Sequence, residues 1–465
     1  MSQARPNSNA ARDIAAVLHP YTDLKQHLET GPLVIVRGEG VRVWDDRGNA
    51  YIEAMAGLWS AALGFSSERL TAAATQQMRK LPFYHAFAAK SHEPLIQLAE
   101  MLLERAPVPM SKVFFANSGS EANDTAIKLI WYYNNARGRP AKKKIISRAR
   151  AYHGVTIASA SLTGLAANHR AFDLPLPGFL HTLTPHFYHE GRPGESEEDF
   201  ASRCAEELER LIAAEGAETI AAFFAEPVMG AGGVIVPPRT YFEKIQAVLR
   251  RHDILFVADE VICGFGRTGN YWGSQTFGLA PDIITCAKAL SASFLPISAV
   301  LISEPVFAAI AEASHEIGTF GHGFTYSGHS VPAAVAIEAL RIYDEIGLID
   351  HVRAIAPVFQ KRLAACAEHP LIGEARGVGL IGGLEIVADK EARRNYDPAL
   401  KIGPRAAKLL EKHGVIGRAL TGDVLAFTPP LIISESEIHE LFDRVIEALD
   451  SLFGQLIREG LAPKG

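Results

Sequence analysis

Lys288 closes a short apolar run, Pro281-Asp282-Ile283-Ile284-Thr285-Cys286-Ala287, and small residues follow it. Upstream, a second apolar run from Ile254 to Ala258 delivers Asp259. An amine at the end of a buried strand is costly unless it is used. A carboxylate at the end of a nearby strand suits a protonated ring nitrogen. A lysine for a Schiff base and an aspartate for a pyridinium nitrogen are what a protein supplies to run pyridoxal phosphate.

Other residues cluster at strand–loop junctions. Asn117-Ser118-Gly119-Ser120-Glu121-Ala122-Asn123 joins a strand to a helix, with two hydroxyls and a glycine at the turn. Exposed N–H groups and the helix dipole make such a turn either an anion site or a plain N-cap. Tyr152-His153-Gly154 follows a strand, where the aromatic could stack on a planar ligand or simply cover surface. Glu226 ends another strand ahead of the loop Gly230 to Gly233, as a ligand contact or a strand-end cap. Thr325 is a second candidate phosphate contact. Arg418 could pair with a substrate carboxylate or stand as an ordinary surface arginine. Together these groups share the ligand-binding edge of an open α/β sheet.

Several chemistries lack support. Gly264 to Gly269 and Gly377 to Gly382 both match Gly-x-Gly-x-x-Gly, but neither turn leads from a strand directly into a helix, as a dinucleotide site requires. The chain has no Walker lysine motif, Gly-x-Ser-x-Gly elbow or His-Glu-x-x-His.

The elements that must position these groups alternate. After hairpin-like strands at 34–36, 41–44 and 50–52, with Asp46 to Asn49 as the turn, strand candidates fall at 112–116, 144–148, 219–225, 254–258, 283–286 and 297–302. Helical patterns separate them, so a mostly parallel sheet in an α/β domain is expected. Ala122, Ala126, Leu129, Ile130 and Tyr133 share one helix face; another helix starts near Val331. Strands at 380–387 and 424–427 and a helix from Ser434 to Phe453, with a Ser434–Glu437 capping box, close the chain. Residues 1–30 read as a loose arm followed by a short helical stretch.

With 465 residues, 48% hydrophobic, 21% charged and a net charge of −6, the chain has material for a large core and no basic face for nucleic acid. No apolar stretch is long enough to cross a bilayer, and the polar start lacks a signal core. Four scattered cysteines fit a reducing compartment, so a cytoplasmic location is expected.

These blocks resemble class III, fold-type I aminotransferases of the ω-transaminase (amine:pyruvate) group. The match runs in order through Asn117–Asn123, Tyr152–Gly154, Ala258–Val261, Gly264–Gly269, Ala287-Lys288, Gly323–His329 and Arg418, from about Pro20 to about Phe453. The resemblance implies a fold-type I α/β architecture with a seven-stranded, mostly parallel sheet. Residues 1–65 would be an N-terminal arm and part of a small domain, 66–345 a large cofactor domain and 346–465 the rest of the α+β small domain. Lys288 would carry pyridoxal 5'-phosphate as an imine and move protons, and Asp259 would protonate the ring nitrogen. Val261 and Tyr152 would flank the ring, with His153 and Glu226 nearby. Ser118, Gly119 and Ser120 would hold the phosphate, joined by Thr325 of a second subunit. Tyr21, Leu58, Trp59, Phe87, Tyr152 and Ala231 would wall the substrate pocket, with Arg418 as a mobile carboxylate partner. Ala289 and Ser330 stand where the family commonly has glycine and proline.

The expected activity is transfer of an amino group from a primary amine or ω-amino acid to a keto acid, pyruvate foremost, by a ping-pong cycle. A racemase, aminomutase or decarboxylase on the same fold is the alternative. The expected assembly is a homodimer with shared sites, or a tetramer. No metal, membrane or nucleic-acid partner is expected.

Overall fold

The computed structural model describes residues 7–463. Its centre is a seven-stranded sheet in the order Lys112–Ala116, Ser298–Ile302, Ile283–Cys286, Leu255–Asp259, Ile220–Ala225, Lys144–Arg148, Phe179–Thr182. The last five run parallel; Ser298–Ile302 is antiparallel to both of its neighbours. Ile220–Ala225, Leu255–Asp259 and Ile283–Cys286 are buried throughout. That is why they read as continuous apolar runs: helices cover both faces of a parallel sheet.

Helix Gly119–Ala136 buries Ala122, Ala126, Leu129, Ile130 and Tyr133 in the core on one side, as their spacing predicts. Glu197–Glu215 and Tyr241–Arg251 contribute to the apolar cluster around Phe223 and Phe256. Placing helices on both sides leaves the strand ends free to present side chains.

Two smaller sheets flank this unit. Ile35–Glu39, Arg42–Asp45 and Ala50–Glu53 form an antiparallel ribbon, joined in parallel by Val415–Ile416, with Val415 opposite Ile52. The Asp46–Asn49 turn is held by the Asp45 carboxylate, which accepts from the amides of Arg47 and Asn49. The other sheet orders Ile372–Val378, Ile381–Ile386, Val424–Phe427 and Arg418–Leu420, all antiparallel. Helix Glu435–Arg458 starts with the expected reciprocal Ser434–Glu437 bonds and runs past Phe453.

The two glycine motifs become turns of different kinds. Gly377 to Gly382 spans a β-hairpin, with Gly377 opposite Gly382 and Gly379 at a φ of 58°. After Gly264 to Gly269 comes a five-residue helix, Gly273–Phe277. Its first amides, from Gly273 and Ser274, donate to the buried carboxylate of Glu260. The N-terminus of that helix is therefore used internally.

Residues 9–16 and 24–30 form two short helices; Met1 to Pro6 of the expected arm lie outside the described residues. Among the described residues, no helix is long and apolar enough to cross a membrane. All four cysteines are buried and unbridged.

Candidate active site

Strand ends converge on a cavity of about 350 Å³. Asp259 closes its strand inside the cavity wall, 4% exposed. One carboxylate oxygen, Oδ2, accepts from Asn123 Nδ2 at 2.8 Å and from the His153 ring Nδ1 at 2.8 Å. The other, Oδ1, accepts from the Val261 amide at 3.1 Å. Asn123 is itself held, donating to the His153 carbonyl at 2.6 Å and accepting from Thr285 Oγ1 at 2.9 Å. The carboxylate is thus locked in orientation, which a group meant to face a ring nitrogen requires. His153 Nε2 is buried and makes no hydrogen bond among the described residues.

Lys288 lines the same cavity, just past the end of the adjacent strand, with a φ of 51°. A non-glycine residue in the left-handed region stores strain that its surroundings must hold. Here the Ser293 amide donates to the Lys288 carbonyl, and Tyr343 Oη donates to the carbonyl of Ala289 at 2.6 Å. Among the described residues no hydrogen bond or ion pair engages the Lys288 amine. Burial lowers its pKa, opposed by the negative charges of Asp259 and Glu226. A lysine shifted this way has more of its amine free as a nucleophile and base.

The helix starting at Gly119 presents its N-terminus to the cavity. Ser118 caps it, accepting from the Glu121 amide at 3.2 Å, and Glu121 reaches back to the Asn117 amide at 2.7 Å. Among the described residues the amides of Gly119 and Ser120 keep no partner, the usual state of a first turn. Ser120 Oγ accepts from the Val155 amide at 3.1 Å, leaving its own proton free to donate. A Cβ on Gly119 would stand 3.1 Å from Val261 Cγ1, so glycine lets Val261 close over this turn. Orphan amides, a free hydroxyl and the positive helix end make an anion cradle.

Glu226 fills the strand-end role. It lines the cavity and caps its strand, accepting from the amides of Tyr152 at 3.0 Å and Gly230 at 3.1 Å. It therefore fixes Tyr152 and the start of the glycine loop; burial raises its pKa. The Tyr152 hydroxyl is pushed well above its ordinary pKa by burial and by Tyr21 beside it. Asn168 Nδ2 donates to Tyr21 Oη at 2.6 Å, and the Arg418 guanidinium lies 5.6 Å from the centre of the Tyr21 ring. Arg418 has no carboxylate partner among the described residues, although its charge bears on both Tyr152 and Lys288.

Of the expected wall residues, Tyr21, Leu58, Trp59, Ala231 and Arg418 do not line the cavity itself. Trp59 is buried with Met55, Val228 and Ile262, and Ile262 lines the cavity. A Cβ on Gly230 would come within 3.5 Å of Trp59, which brings the loop holding half-buried Ala231 beside it. Leu58 is exposed. Phe87 and Thr325 do not line the cavity of their own chain. Phe87 packs beside Gly323, in the loop that carries Thr325, where a Cβ would stand 3.0 Å from Phe87 Cζ, and both Phe87 and Thr325 are exposed. Ser330 is buried and donates to the carbonyls of Leu81 and Pro82, which ties the Gly323–His329 loop to that neighbouring segment.

Sequence reasoning did not single out the side chains of Asn123 and Thr285. Asn123 lies one helical turn after Ser120, so the same helix face carries both; its pairing with Thr285 crosses to another strand and has no local signature.

A family model described as aminotransferase class-III matches residues 25–449. The gamma aminobutyrate transaminase 3, chloroplastic, of Solanum lycopersicum is 51% identical over 434 residues, covering 93% of this chain and 83% of that protein. An omega transaminase from Pseudomonas jessenii, solved in complex with PMP, superposes with a TM-score of 0.95 at 57% identity, covering 96% of this chain and 99% of that one. A thermostable omega transaminase variant with a tryptophan, a phenylalanine and an arginine replaced, engineered for asymmetric synthesis of enantiopure bulky amines, also gives 0.95 at 57% identity, covering 97% and 100%.

Proposed function

Because the chain belongs to the class III aminotransferase family, we propose that it moves an amino group from a primary amine or ω-amino acid to a keto acid, with pyruvate the preferred acceptor. Pyridoxal 5'-phosphate, the family's cofactor, supplies an electron sink for the carbon that loses its proton. The residues fit that group. An unpartnered amine on Lys288, a clamped carboxylate on Asp259 and the orphan amides of Gly119 and Ser120 border one cavity. That juxtaposition carries the reading.

In it, Lys288 Nζ would hold the cofactor through its aldehyde and, as free amine, would move the proton taken from the substrate carbon. Asp259, kept in place by Asn123 and His153, holds a proton on the ring nitrogen. Gly119 and Ser120 bind the phosphate through their amides and the Ser120 hydroxyl. Val261 and Tyr152, which both line the cavity, would flank the ring, and burial keeps the Tyr152 hydroxyl protonated. Arg418, free of any internal carboxylate, receives the substrate carboxylate; withdrawn from it, the guanidinium leaves room for an apolar amine beside Trp59. The residue types replaced in the engineered relative support this placement of Trp59, Phe87 and Arg418.

We place Thr325 and Phe87 in the site of a second copy, a reading supported by their joint exposure away from this chain's cavity. The pairing of Val415 with Ile52 supports a small domain built from both ends of the chain, 1–65 and 346–465, around a large unit at 66–345. The buried cysteines support a cytoplasmic location.

A donor panel of β-alanine, 4-aminobutyrate, a diamine and 1-phenylethylamine, each against pyruvate and 2-oxoglutarate, tests the assignment. Double-reciprocal plots should be parallel, with at least one donor transferring to pyruvate faster than to 2-oxoglutarate. Conversion of substrate without any keto acid, or release of carbon dioxide, would overturn it.

A further inference from the structure

Outside the active site, two clusters bring three metal-binding atoms together among the described residues. Their surroundings separate them. In the His186, His189 and Glu385 cluster, Arg376 Nη1 stands 2.7 Å from Glu385, and Arg376 also binds Glu374. A guanidinium already supplies the positive charge there, and a cation would have to displace it.

Among the described residues, no arginine or lysine pairs with the other cluster. Asp13 Oδ1 is 2.8 Å from His19 Nε2 and 3.1 Å from His27 Nε2, within hydrogen-bond distance of both. The two imidazole rings stand 4.4 Å apart, tilted by 47°. All three ligand atoms lie within 4.8 Å of one another. Tetrahedral Zn²⁺ holds nitrogen and oxygen ligands at about 2.0–2.2 Å, which sets neighbouring ligand atoms about 3.3 Å apart. A slight expansion of the present contacts would admit the ion.

The chemistry agrees. Two imidazoles and one carboxylate suit a borderline divalent cation, and neutral histidines leave the cluster with one negative charge. Among the described residues, no hydrogen bond engages Nδ1 of either ring. Each ring can therefore move its proton from Nε2 to Nδ1 and offer Nε2 to a metal without net loss of a proton. Asp13 and His19 are partly exposed, at 21% and 28%, so an ion has a way in and water a place to complete the shell.

We propose that Asp13, His19 and His27 form a divalent transition-metal site, best matched to Zn²⁺, that ties the two arm helices together beside Tyr21. Asp13 lies in helix Asn9–Ala16 and His27 in helix Leu24–Thr30. The connection between them carries His19 and Tyr21, and Tyr21 reaches Asn168, Tyr152 and Arg418. An ion gripping all three ligands would hold Tyr21 at the edge of the substrate site.

The test uses holoenzyme stripped with a chelator and titrated with ZnCl₂ in a calorimeter. One Zn²⁺ should bind per chain, and Asp13→Asn and His19→Gln should each weaken binding by at least about tenfold. His439→Gln, a change at an exposed surface histidine, should leave it unaltered. Absence of saturable binding, or undiminished binding in the Asp13→Asn/His19→Gln double variant, overturns the site. Zn²⁺ should also slow tryptic cleavage after Arg12 and Lys25 in the wild type and not in the double variant. Equal cleavage rates with and without the ion overturn its hold on the arm.

Discussion

Asn123 touches neither end of the amine chemistry, yet the orientation of Asp259 depends on it. Its amide nitrogen serves Asp259 and the His153 carbonyl at once, while Thr285 pins its oxygen. Asn123→Ala removes one donor to the carboxylate and leaves His153 as the other holder of the same oxygen. Losses at such supporting positions are about 10- to 100-fold. We expect kcat to fall by that factor with the KM for amine little changed, as read by steady-state kinetics; unchanged kcat would show that His153 suffices. Arg418 acts in the other parameter. A charge-assisted bond to a carboxylate contributes about 1.5–3 kcal/mol, so Arg418→Ala should lower kcat/KM for pyruvate about 10- to 150-fold while sparing an amine without a carboxylate. Equal losses for both substrates would place Arg418 in a structural role. That Lys288 and Asp259 meet at one cavity was legible in the sequence because each ends an apolar run, whereas Asn123 sits within a helix whose apolar face hides it.

The first strand of the hairpin Ile372–Val378 and Ile381–Ile386 shows how an element escapes sequence reading, whereas the second falls within the strand expected at 380–387. Glu374 and Arg376 interrupt the first strand, and charges at those positions suggest a loop. In the fold they are satisfied: Arg376 pairs with Glu374 and Glu385, and donates to the Gly233 carbonyl behind the active site. Such pairing is long-range in sequence and has no periodic signal, unlike the apolar strands of the central sheet. Phe179–Thr182 was missed for a related reason, since this edge strand is only partly buried and carries His181. The network has a measurable consequence. Burial works against the Glu385 charge, but the His189 hydrogen bond and the Arg376 charge win, holding the carboxyl at about 2 against an ordinary 4.5. A carboxyl depressed in the fold stabilises above its unfolded pKa and ceases to do so as pH falls through the folded one. On the order of 3 kcal/mol should therefore be lost between about pH 4.5 and pH 2. Denaturant melts across that window should show a steeper decline for wild type than for Glu385→Gln; parallel declines would remove Glu385 from the account.

At the scale of the whole molecule, the cavity looks incomplete from one chain. The proposed phosphate cradle draws on Gly119 and Ser120, while Phe87 and Thr325 are exposed and line no part of the cavity. Residues that complete a neighbour's site must be exposed in their own chain, so isolated geometry hides the role that the sequence resemblance assigned to Thr325. Complementation distinguishes the arrangements. Lys288→Ala disables the chain that carries it, and Thr325→Glu places a negative charge where a phosphate would bind in the other chain. Each homodimer should be inactive. In a mixed dimer, the site with Lys288 intact draws its Thr325 from the Lys288→Ala chain and is whole; the other site carries both lesions. Random pairing of equally co-expressed chains makes half the dimers mixed, each with one working site, so activity should return to about a quarter of wild type. If Thr325 instead served its own chain, every site in the mixture would carry one lesion, and activity would stay at the level of the separate variants.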